Sequence, residues 1–326
     1  MSHKRNRLLQ QIIFYPILLF FNITSRLPLS LTRRSGTMLA TLAYYLVPRI
    51  KKVGMANLDI AYGETLTFQE KNKILRESVK NLALVALEFS CVPSIKNNLE
   101  KMNITVKGFE NINPHAGSVL MSAHLGNWEW LLPVGVHLGL RPVIVVRQFD
   151  DRRMDGIVDV IRRKSGIKTV PKDAALGPLL RRLKDGWQAG LLADQNPRED
   201  AVPVTFFGQS TWATIGPAVI AMRAQVPIHP VSMVRNADLS YTAEFFPALD
   251  LQYSGDTLAD LQINTQRCQD ALETIIRRNP EQWLWFHRRW KKRERLEQEW
   301  ADRLARREAK AASSVVDTHP EKESEN

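Results

Sequence analysis

The chain has 326 residues, of which 44% are hydrophobic, and its formal net charge at pH 7 is +11. This length allows one large domain or two small ones with a sizeable core. Its two cysteines, Cys91 and Cys268, lie far apart and outside any metal-ligand spacing, which argues against a disulfide framework and a structural zinc site. The positive charge favours an anionic partner, such as a phosphate-bearing lipid, an acidic protein or a nucleic acid.

The first fifty residues contain two apolar segments, each preceded by basic residues. The first covers residues 12–23 and the second residues 38–48. The first is shorter than the roughly 20 residues of a spanning helix, and no small-residue site typical of signal-peptide cleavage follows it. We predict a membrane-anchoring segment over residues 1–50 with a cytoplasmic N-terminus. The pattern fits a hairpin in the inner leaflet, one span with an interfacial helix, or a pair of buried helices.

Residues 51–100 show apolar residues at helical spacing, and from residue 104 short apolar runs alternate with amphipathic stretches. The predicted strands are SVLMSA, PVIVV, AGLLAD, VPIHPVSMV and YTAEFF, and the predicted helices are IVDVIRRKSG, LGPLLRRLKDG and GPAVIAMRAQ. This succession predicts an α/β fold over residues 51–293, with a mostly parallel central sheet flanked by helices. We expect a charged helix and then a disordered tail, SSVVDTHPEKESEN, over residues 294–326.

Three residues suited to chemistry stand where three predicted strands end. His124 follows SVLMSA, Arg147 follows PVIVV, and Asp194 ends AGLLAD. Because ligands of parallel α/β sheets bind beyond the carboxyl ends of the strands, the sequence predicts a site at this edge of the sheet.

The segment HLGNWEW, residues 124–130, suggests how His124 would act. Gly126 permits an unusual turn between strand and helix, so Glu129 would stand in the first helical turn and reach back to the imidazole. A carboxylate on one ring nitrogen fixes the tautomer and leaves the other nitrogen free to take a proton. We predict His124 as a general base oriented by Glu129. Alternatively, Glu129 only complements the helix dipole and His124 only fills the turn.

Four segments of the chain resemble the late lipid A biosynthesis acyltransferases, the lauroyl/myristoyl transferase or HtrB-like family. They are HLGNWEW, which fits an H-x4-D/E motif, RQFDDRRMDGIVDVIRRKSG, LLADQNPREDAVPVTFFGQSTWATIGPAVIAMRAQVPIHPV, and PEQWLWFHRRWK. H-x4-E is a weak signal alone, whereas ADQNPR followed by FFG and a small-residue helix is far more specific. With the N-terminal apolar segments, the resemblance covers residues 8–293.

The resemblance implies a glycerolipid-acyltransferase-like fold. It also implies transfer of a fatty acyl chain from acyl carrier protein to a hydroxyl of a lipid A precursor, at the cytoplasmic face of the bacterial inner membrane, without a metal or redox cofactor. His124 would deprotonate the hydroxyl, and backbone N–H groups at the start of the Gly126–Asn127 helix would stabilise the oxyanion. Arg147 would assist the oxyanion or hold a phosphate. An apolar groove would set chain-length preference at about 0.8 kcal/mol per buried methylene.

The matched motifs suggest further residues that bind substrate or position the catalytic groups. Asp194 and Gln195 would position the base or Arg147, unless they only form a turn. Phe206 and Phe207 would contact substrate or fill the core. The remaining candidates are Asn127, Arg163, Gly208 and Arg288. A solvated helix face would explain Arg163 equally well, and packing of the nearby tryptophans would explain the segment around Arg288 nearly as well.

Other functions fit parts of the sequence. Glycerol-phosphate and lysophospholipid acyltransferases usually have Asp where this chain has Glu129, and the ADQ…FFG segment fits the lipid A branch better. A related glycolipid acyltransferase acting on mannosides fits the motifs almost as well. A nucleic-acid-binding protein is disfavoured, because acidic residues interrupt the basic C-terminal helix and no groove-reading motif is present. The expected partners are therefore acyl carrier protein, a glycolipid acceptor and the inner membrane, and no nucleic acid.

Overall fold

The computed structural model describes residues 28–95, 97–146, 152–172 and 175–316, together with Arg26. The first apolar segment, residues 12–23, lies outside the described residues. The N-terminal part that is described is helical: α1 is Leu29–Leu46, α2 is Pro48–Tyr62, α3 is Phe68–Glu88, and the short α4 is Val92–Ile95. These helices confirm the helical pattern of residues 51–100, and α1 contains most of the second apolar segment.

The strands, in chain order, are β1 (Ile104–Lys107), β2 (Ser118–Ser122), β3 (Pro142–Val146), β4 (Lys168–Pro171), β5 (Gln188–Leu192), β6 (Ala201–Phe206), β7 (Gln209–Thr214), β8 (Ile228–Arg235) and β9 (Tyr241–Phe245). Within the described residues, the main sheet has the order β1-β9-β8-β2-β5-β3-β4. The strands from β8 to β4 run parallel, whereas β9 is antiparallel to β8 and parallel to β1. β6 and β7 form a separate antiparallel hairpin.

Helices cover both faces of this sheet. They are α5 (Trp128–His137), α6 (Arg152–Lys164), α7 (Leu176–Lys184), α8 (Gly216–Ala224), α9 (Thr257–Arg278) and α10 (Glu294–Val316). Successive strand residues point to opposite faces: Val119 packs in the cluster of α7, α8 and α9, and Leu120 in the cluster of α5. The predicted α/β fold, with a mostly parallel central sheet flanked by helices, is confirmed.

The C-terminal helix differs from the prediction at its end. α10 continues to Val316, so the first residues of the predicted disordered tail are helical, and residues 317–326 lie outside the described residues. Leu296 is 2% exposed, and with Trp300 it packs against Ala201 and Trp212 of the β6–β7 hairpin. The side chains of Leu296 and Trp300 thus pack an otherwise charged helix against the hairpin.

Gly126 makes the turn between β2 and α5 possible. Its φ is +59°, and a Cβ atom at this position would lie 1.8 Å from the backbone oxygen of Met233. We expect Gly126→Ala to lower the free energy of unfolding by about 2–5 kcal/mol, because it combines a left-handed backbone with overpacking. Denaturant titration would measure this loss. Gly156→Ala is the control, since a Cβ at this exposed helical glycine meets nothing within 4 Å. Equal stability of the two variants would contradict the prediction.

One helical stretch among the described residues, Phe68–Ile95, is long and apolar enough to cross a membrane. However, 56% of the apolar 18-residue segment within this stretch is buried inside the fold. A buried apolar helix is typical of a protein core. α1 differs, because only one of its faces is covered: Gly36 approaches Leu84 and Leu87 of α3. Its other face exposes large apolar side chains, namely Leu31, Met38, Leu39, Leu42, Tyr45 and Leu46.

Candidate active site

The turn after β2 holds His124 at the carboxyl edge of the sheet. The backbone oxygen of His124 accepts a hydrogen bond from Leu284 N (3.2 Å), and Gly126 N donates to Gln282 O (3.1 Å). The WLWFHRRW segment therefore lies directly against the HLGN turn. These two motifs are about 160 residues apart in the chain, and backbone hydrogen bonds hold them side by side at the site.

Asp194, which follows the neighbouring strand β5, holds the imidazole of His124. Nδ1 of His124 lies 2.8 Å from Oδ1 of Asp194. The backbone amide of His124 donates to Oδ2 at 3.0 Å, and Trp283 Nε1 donates to the same oxygen at 2.8 Å. Asp194 is 2% exposed, whereas 21% of the His124 side chain is exposed. Because a carboxylate only accepts, Nδ1 carries the proton and Nε2 is the basic nitrogen.

The pair shifts the pKa of both groups. Burial alone would lower the pKa of His124, but the charge and hydrogen bond of Asp194 outweigh burial and raise this pKa above its ordinary value. Burial alone would raise the pKa of the Asp194 carboxyl, but the charge of His124 and the hydrogen bonds from His124 and Trp283 lower it to about 2. Asp194 is therefore ionised at neutral pH, and His124 is a stronger base than a free histidine.

Glu129 does not occupy the orienting position that the sequence interpretation assigned to it. It lies in the first turn of α5, and its Oε1 and Oε2 atoms lie 3.2 and 3.4 Å from Arg162 Nη2. Its charge still contributes to the raised pKa of His124. Asp194 takes the orienting position instead, because parallel neighbouring strands bring their ends together, whereas the H-x4-E spacing brings Glu129 only near the ring.

Arg162 was missed by the sequence interpretation, which chose Arg163. The Arg163 side chain is 60% exposed and pairs with Asp159 four residues earlier, so it lies on the solvated face of α6. A signal for Arg162 was present in the sequence. Val158 and Ile161 are partly buried against the core. Arg162 comes four residues after Val158 and one residue after Ile161. The three positions follow the i, i+3, i+4 spacing of one helix face, so Arg162 lies on the same face as the two buried residues.

Two more polar side chains lie near the imidazole. Gln195 Nε2 lies 3.4 Å from His124 Nε2, and its role in positioning the base stays a prediction. Nδ1 of His287 is buried and has no hydrogen-bond partner among the described residues. Burial and the charges of Arg289, His124 and Arg293 lower the pKa of His287 to about 4, despite the nearby Asp194 carboxylate. His287 is therefore neutral at physiological pH.

Two of the amides at the helix start that was predicted to stabilise an oxyanion are already engaged. Gly126 N and Asn127 N donate to backbone oxygens of neighbouring segments, the latter at 2.8 Å. The next two amides, those of Trp128 and Glu129, begin α5 without a side-chain cap. The first amides of a helix have no acceptor within that helix. They are therefore the remaining candidates at this helix start for contact with an oxyanion.

The side chain of Asn127, which the sequence predicts to bind substrate, belongs to a buried polar cluster around Glu88. Asn127 is 0% exposed, and its Nδ2 donates to Glu88 Oε2 at 2.9 Å. Glu88 also accepts from Arg33 Nε at 2.7 Å and Arg235 Nη1 at 2.8 Å. Removing one member of such a cluster typically costs about 3–5 kcal/mol. The cluster ties α1, α3 and β8 to the turn that carries His124.

The FFG segment forms the turn of the β6–β7 hairpin, and its two phenylalanines pack in the core, which is one of the two roles that the sequence left open. Phe207 and Gly208 have positive φ values, 53° and 71°, as in the two-residue turns that match strand twist. Phe206 and Phe207 are 0% and 4% exposed, while Gly208 lies at the exposed tip. The aromatic neighbours of the two phenylalanines are Trp283, Trp285 and Trp290. The aromatic cluster therefore packs against the indole of Trp283, whose Nε1 donates to Asp194.

The two arginines of the last motif have different environments. Arg288 is exposed, and Arg289 is 0% exposed. Arg289 donates to Trp212 O (2.6 Å) and to Gln269 Oε1 (3.0 Å), so it joins the C-terminal segment to the hairpin and α9. Arg147 lies outside the described residues, and its role stays a prediction.

An apolar cavity of about 340 Å³ lies between the sheet and α5, lined from β2, β3, β5, β8, α5 and α6. Ser122, Glu129 and Arg162 are the polar side chains in this lining apart from the indole of Trp128. The Trp128 ring lies edge-on to the ring of His124, with centroids 5.1 Å apart. The His124–Asp194 pair therefore stands beside an apolar cavity with a polar rim. Among the described residues, no group of three or more His, Cys, Asp or Glu side chains is placed to hold a metal ion.

A basic histidine held by a carboxylate beside an apolar cavity suits an enzyme that acts on lipids. Residues 2–292 match the family of bacterial lipid A biosynthesis acyltransferases, and the chain belongs to this family. It is 23% identical over 267 residues to the lipid A biosynthesis palmitoleoyltransferase of Escherichia coli K12, a match that covers 79% of this chain and 84% of that protein. Acyl transfer to a lipid is the activity of the family.

One further relative and one solved structure extend the comparison. The chain is 27% identical over 187 residues to the phosphatidylinositol mannoside acyltransferase of Mycolicibacterium smegmatis, covering 53% of this chain and 57% of that protein. It therefore spans little more than half the length of this mycobacterial relative. A solved structure, the 1-acyl-sn-glycerophosphate acyltransferase PlsC of Thermotoga maritima, aligns with a TM-score of 0.35 and 15% identity, over 74% of this chain and 98% of that one.

Proposed function

We propose that this protein transfers a fatty acyl chain from acyl carrier protein to a hydroxyl of a lipid A precursor, at the cytoplasmic face of the inner membrane. The observation that carries the proposal is the His124–Asp194 pair beside the apolar cavity. The cavity would hold the acyl chain, and the basic nitrogen would meet the acceptor hydroxyl at the rim. Family membership supports the acyl-transfer chemistry.

His124 acts first as base and then as acid in this proposal. Its Nε2 takes the proton of the acceptor hydroxyl while the hydroxyl oxygen attacks the thioester carbonyl carbon, and Asp194 stabilises the imidazolium. The carbonyl oxygen becomes an oxyanion, for which the amides of Trp128 and Glu129 are the donors. The carbonyl then re-forms, the carbon–sulfur bond breaks, and the leaving thiolate takes the proton from His124. The products are the acylated lipid and the free carrier thiol.

The Glu129–Arg162 pair has a separate role in the proposal. Both side chains line the cavity, and they are 22% and 19% exposed. A partly exposed ion pair at the rim can exchange partners with a polar headgroup at little cost, since such pairs contribute about 0–1 kcal/mol to stability. We assign the pair to the acceptor side of the site, with Arg147 as a further phosphate contact.

The exposed face of α1 supports membrane association. Met38, Leu42, Tyr45 and Leu46 recur at the spacing of one helix face and are 55–67% exposed. Lys51 lies 4.8 Å from the ring centroid of Tyr45, and tyrosine and lysine are residues typical of the membrane interface. An apolar stripe with cations at its end would bind an anionic lipid surface.

A related glycolipid is the second candidate acceptor, because the chain also resembles mannoside acyltransferases. The test uses full-length protein in membrane vesicles, with labelled acyl-acyl carrier protein or labelled acyl-coenzyme A as donor. The acceptors, supplied separately, are a lipid A precursor, a phosphatidylinositol mannoside and lysophosphatidic acid. We expect labelled product, identified by mass spectrometry, from the carrier-protein donor and the lipid A precursor. Product from the mannoside alone would replace the proposed acceptor, and no transfer from the carrier-protein donor would reject the proposed donor.

A further inference from the structure

A strongly basic segment lies beside the active site. Residues 283–293, WLWFHRRWKKR, contain five Lys and Arg residues and no Asp or Glu. Arg289 is buried. Arg288, Lys291 and Lys292 are exposed, and none of these three cations forms an ion pair with another described residue. We call the three side chains the basic surface, and their positive charge is available to a partner.

Asn196 fixes the basic surface close to His124. Asn196 is buried, and its Nδ2 donates to the backbone oxygens of Arg289 (2.8 Å) and Lys291 (2.9 Å). It comes directly after Gln195, whose Nε2 lies 3.4 Å from Nε2 of His124. Hydrogen bonds therefore join the loop that carries Gln195 to the basic segment, on the side of the basic nitrogen of His124.

The apolar cavity lies on another side of the site. Among the described residues, none of residues 195–200 or 283–293 lines this cavity, whose rim carries Glu129 and Arg162. An acyl chain in the cavity, with its thioester carbonyl at His124, would direct its sulfur away from the cavity. The Glu129–Arg162 side is assigned to the acceptor, so the basic segment is left for the group that bears the sulfur.

The basic surface suits an acidic protein better than a lipid surface. Segments that bind a membrane interface combine cations with exposed apolar side chains, as α1 does. Within residues 283–300, all large apolar side chains are buried or half-buried. Exposed cations without exposed apolar neighbours are typical of surfaces that steer and orient a protein of opposite charge.

We propose that the basic surface docks an acidic face of the protein that carries the acyl thioester. This inference rests on the proposed function, since it takes acyl carrier protein as the donor. The flexible pantetheine arm of the carrier reaches His124 past Gln195, while the carrier itself stays on the basic surface. Arg288, Lys291 and Lys292 thus contribute to binding of the carrier-bound donor and not to the chemistry at His124.

The test compares two donors with the same acyl chain, one a thioester of acyl carrier protein and the other a thioester of free pantetheine. The variant combines Arg288→Gln, Lys291→Gln and Lys292→Gln in the full-length protein in membrane vesicles. We expect its KM for the carrier-bound donor to rise about tenfold, with little change in kcat, because exposed interfacial charges mainly govern encounter. Its kcat/KM for acyl-pantetheine should stay within about twofold, as for a surface change away from the site.

Salt provides a second readout of the same contact. Added salt should lower kcat/KM for the carrier-bound donor in the unchanged protein, since salt screens exposed charges. The variant should be less sensitive to salt, and transfer from acyl-pantetheine should be insensitive in both proteins. Equal salt sensitivity of the variant and the unchanged protein with the carrier-bound donor would contradict the docking surface.

The matched control combines Lys168→Gln, Arg181→Gln and Lys184→Gln. These three cations are also exposed. They lie at the start of β4 and in the last turn of α7, at the opposite edge of the sheet from His124. We expect the KM for either donor to equal that of the unchanged protein. An unchanged KM for the carrier-bound donor in the Arg288 variant, or an equal loss with both donors, would overturn the assignment.

Cosedimentation with phosphatidylglycerol vesicles tests an anionic lipid surface as the occupant instead. We expect the variant and the unchanged protein to sediment equally, since the apolar face of α1 is intact in both. Weaker sedimentation of the variant would assign the basic surface to lipid and reject the proposal.

Direct binding separates this inference from the proposed function. Fluorescence anisotropy of labelled holo-acyl carrier protein, titrated with the vesicle-bound protein, needs no turnover. If the unchanged protein transfers no chain from either donor, the proposed function fails, and carrier binding about tenfold weaker in the variant still supports the docking surface. Equal binding by the two proteins, or binding by neither, would reject the docking surface.

Discussion

Replacing His124 by alanine is expected to lower the rate of acyl transfer by about 10³-fold or more, because a general base contributes roughly 10²–10⁴ and this residue also returns the proton. The protein should stay folded, since the backbone hydrogen bonds of the turn do not involve the imidazole. Initial rates with labelled acyl-acyl carrier protein, measured in the same vesicles, give the loss. Circular dichroism melting checks the fold.

His115→Ala is the control for this experiment. His115 is exposed and lies before β2, at the opposite end of the strand from His124. Its replacement should leave the rate within a factor of about two, as expected for a surface change of about ±0.5 kcal/mol. Near-normal turnover by a folded His124→Ala protein would remove this histidine from the reaction.

Replacing Asp194 by asparagine is expected to lower kcat by about 10³–10⁴-fold, because a neutral amide can hold the ring but stabilises the imidazolium far less. Glu129→Gln should lower kcat much less, about tenfold, since Glu129 pairs with Arg162 and acts on the ring only through its charge. Parallel kcat measurements on the two variants distinguish these roles. A larger loss in Glu129→Gln than in Asp194→Asn would restore Glu129 as the orienting carboxylate.

The pH dependence of kcat/KM separates positioning from simple packing. His124 must be unprotonated to act as base, so the rate rises with pH through its pKa, which Asp194 raises. Asp194→Asn removes the negative charge that raises the pKa of His124, so the rising limb of the pH profile of kcat/KM should move to lower pH. A substitution that only loosened the fold would lower the rate without moving the limb. An unmoved limb in Asp194→Asn would contradict the assigned coupling.

The sequence already predicted the edge of the sheet at which the candidate site lies. The strands that end at His124 and Asp194 were predicted from apolar runs and turn residues, and the structure places those strands side by side. Such runs are local signals, because burial of a parallel strand requires continuous apolar residues. Gln195 was likewise predicted to position the base, and its amide lies 3.4 Å from the imidazole.

Only the tertiary structure decided which side chains reach the imidazole. Strand order β2–β5 gives Asp194 the orienting position, while the helical phase of α6 turns Arg162 to the cavity and leaves Arg163 in solvent. The chain order does not show the strand order, because sheet neighbours are set by packing between distant segments, whereas Val158 and Ile161 already indicated the face of α6 to which Arg162 belongs. The same holds for Asn127 and FFG, whose motif positions suggested substrate contacts and whose burial makes them part of the framework. Residue type and local periodicity predicted the edge of the sheet at which the candidate site lies, and long-range pairing determined which side chains meet there.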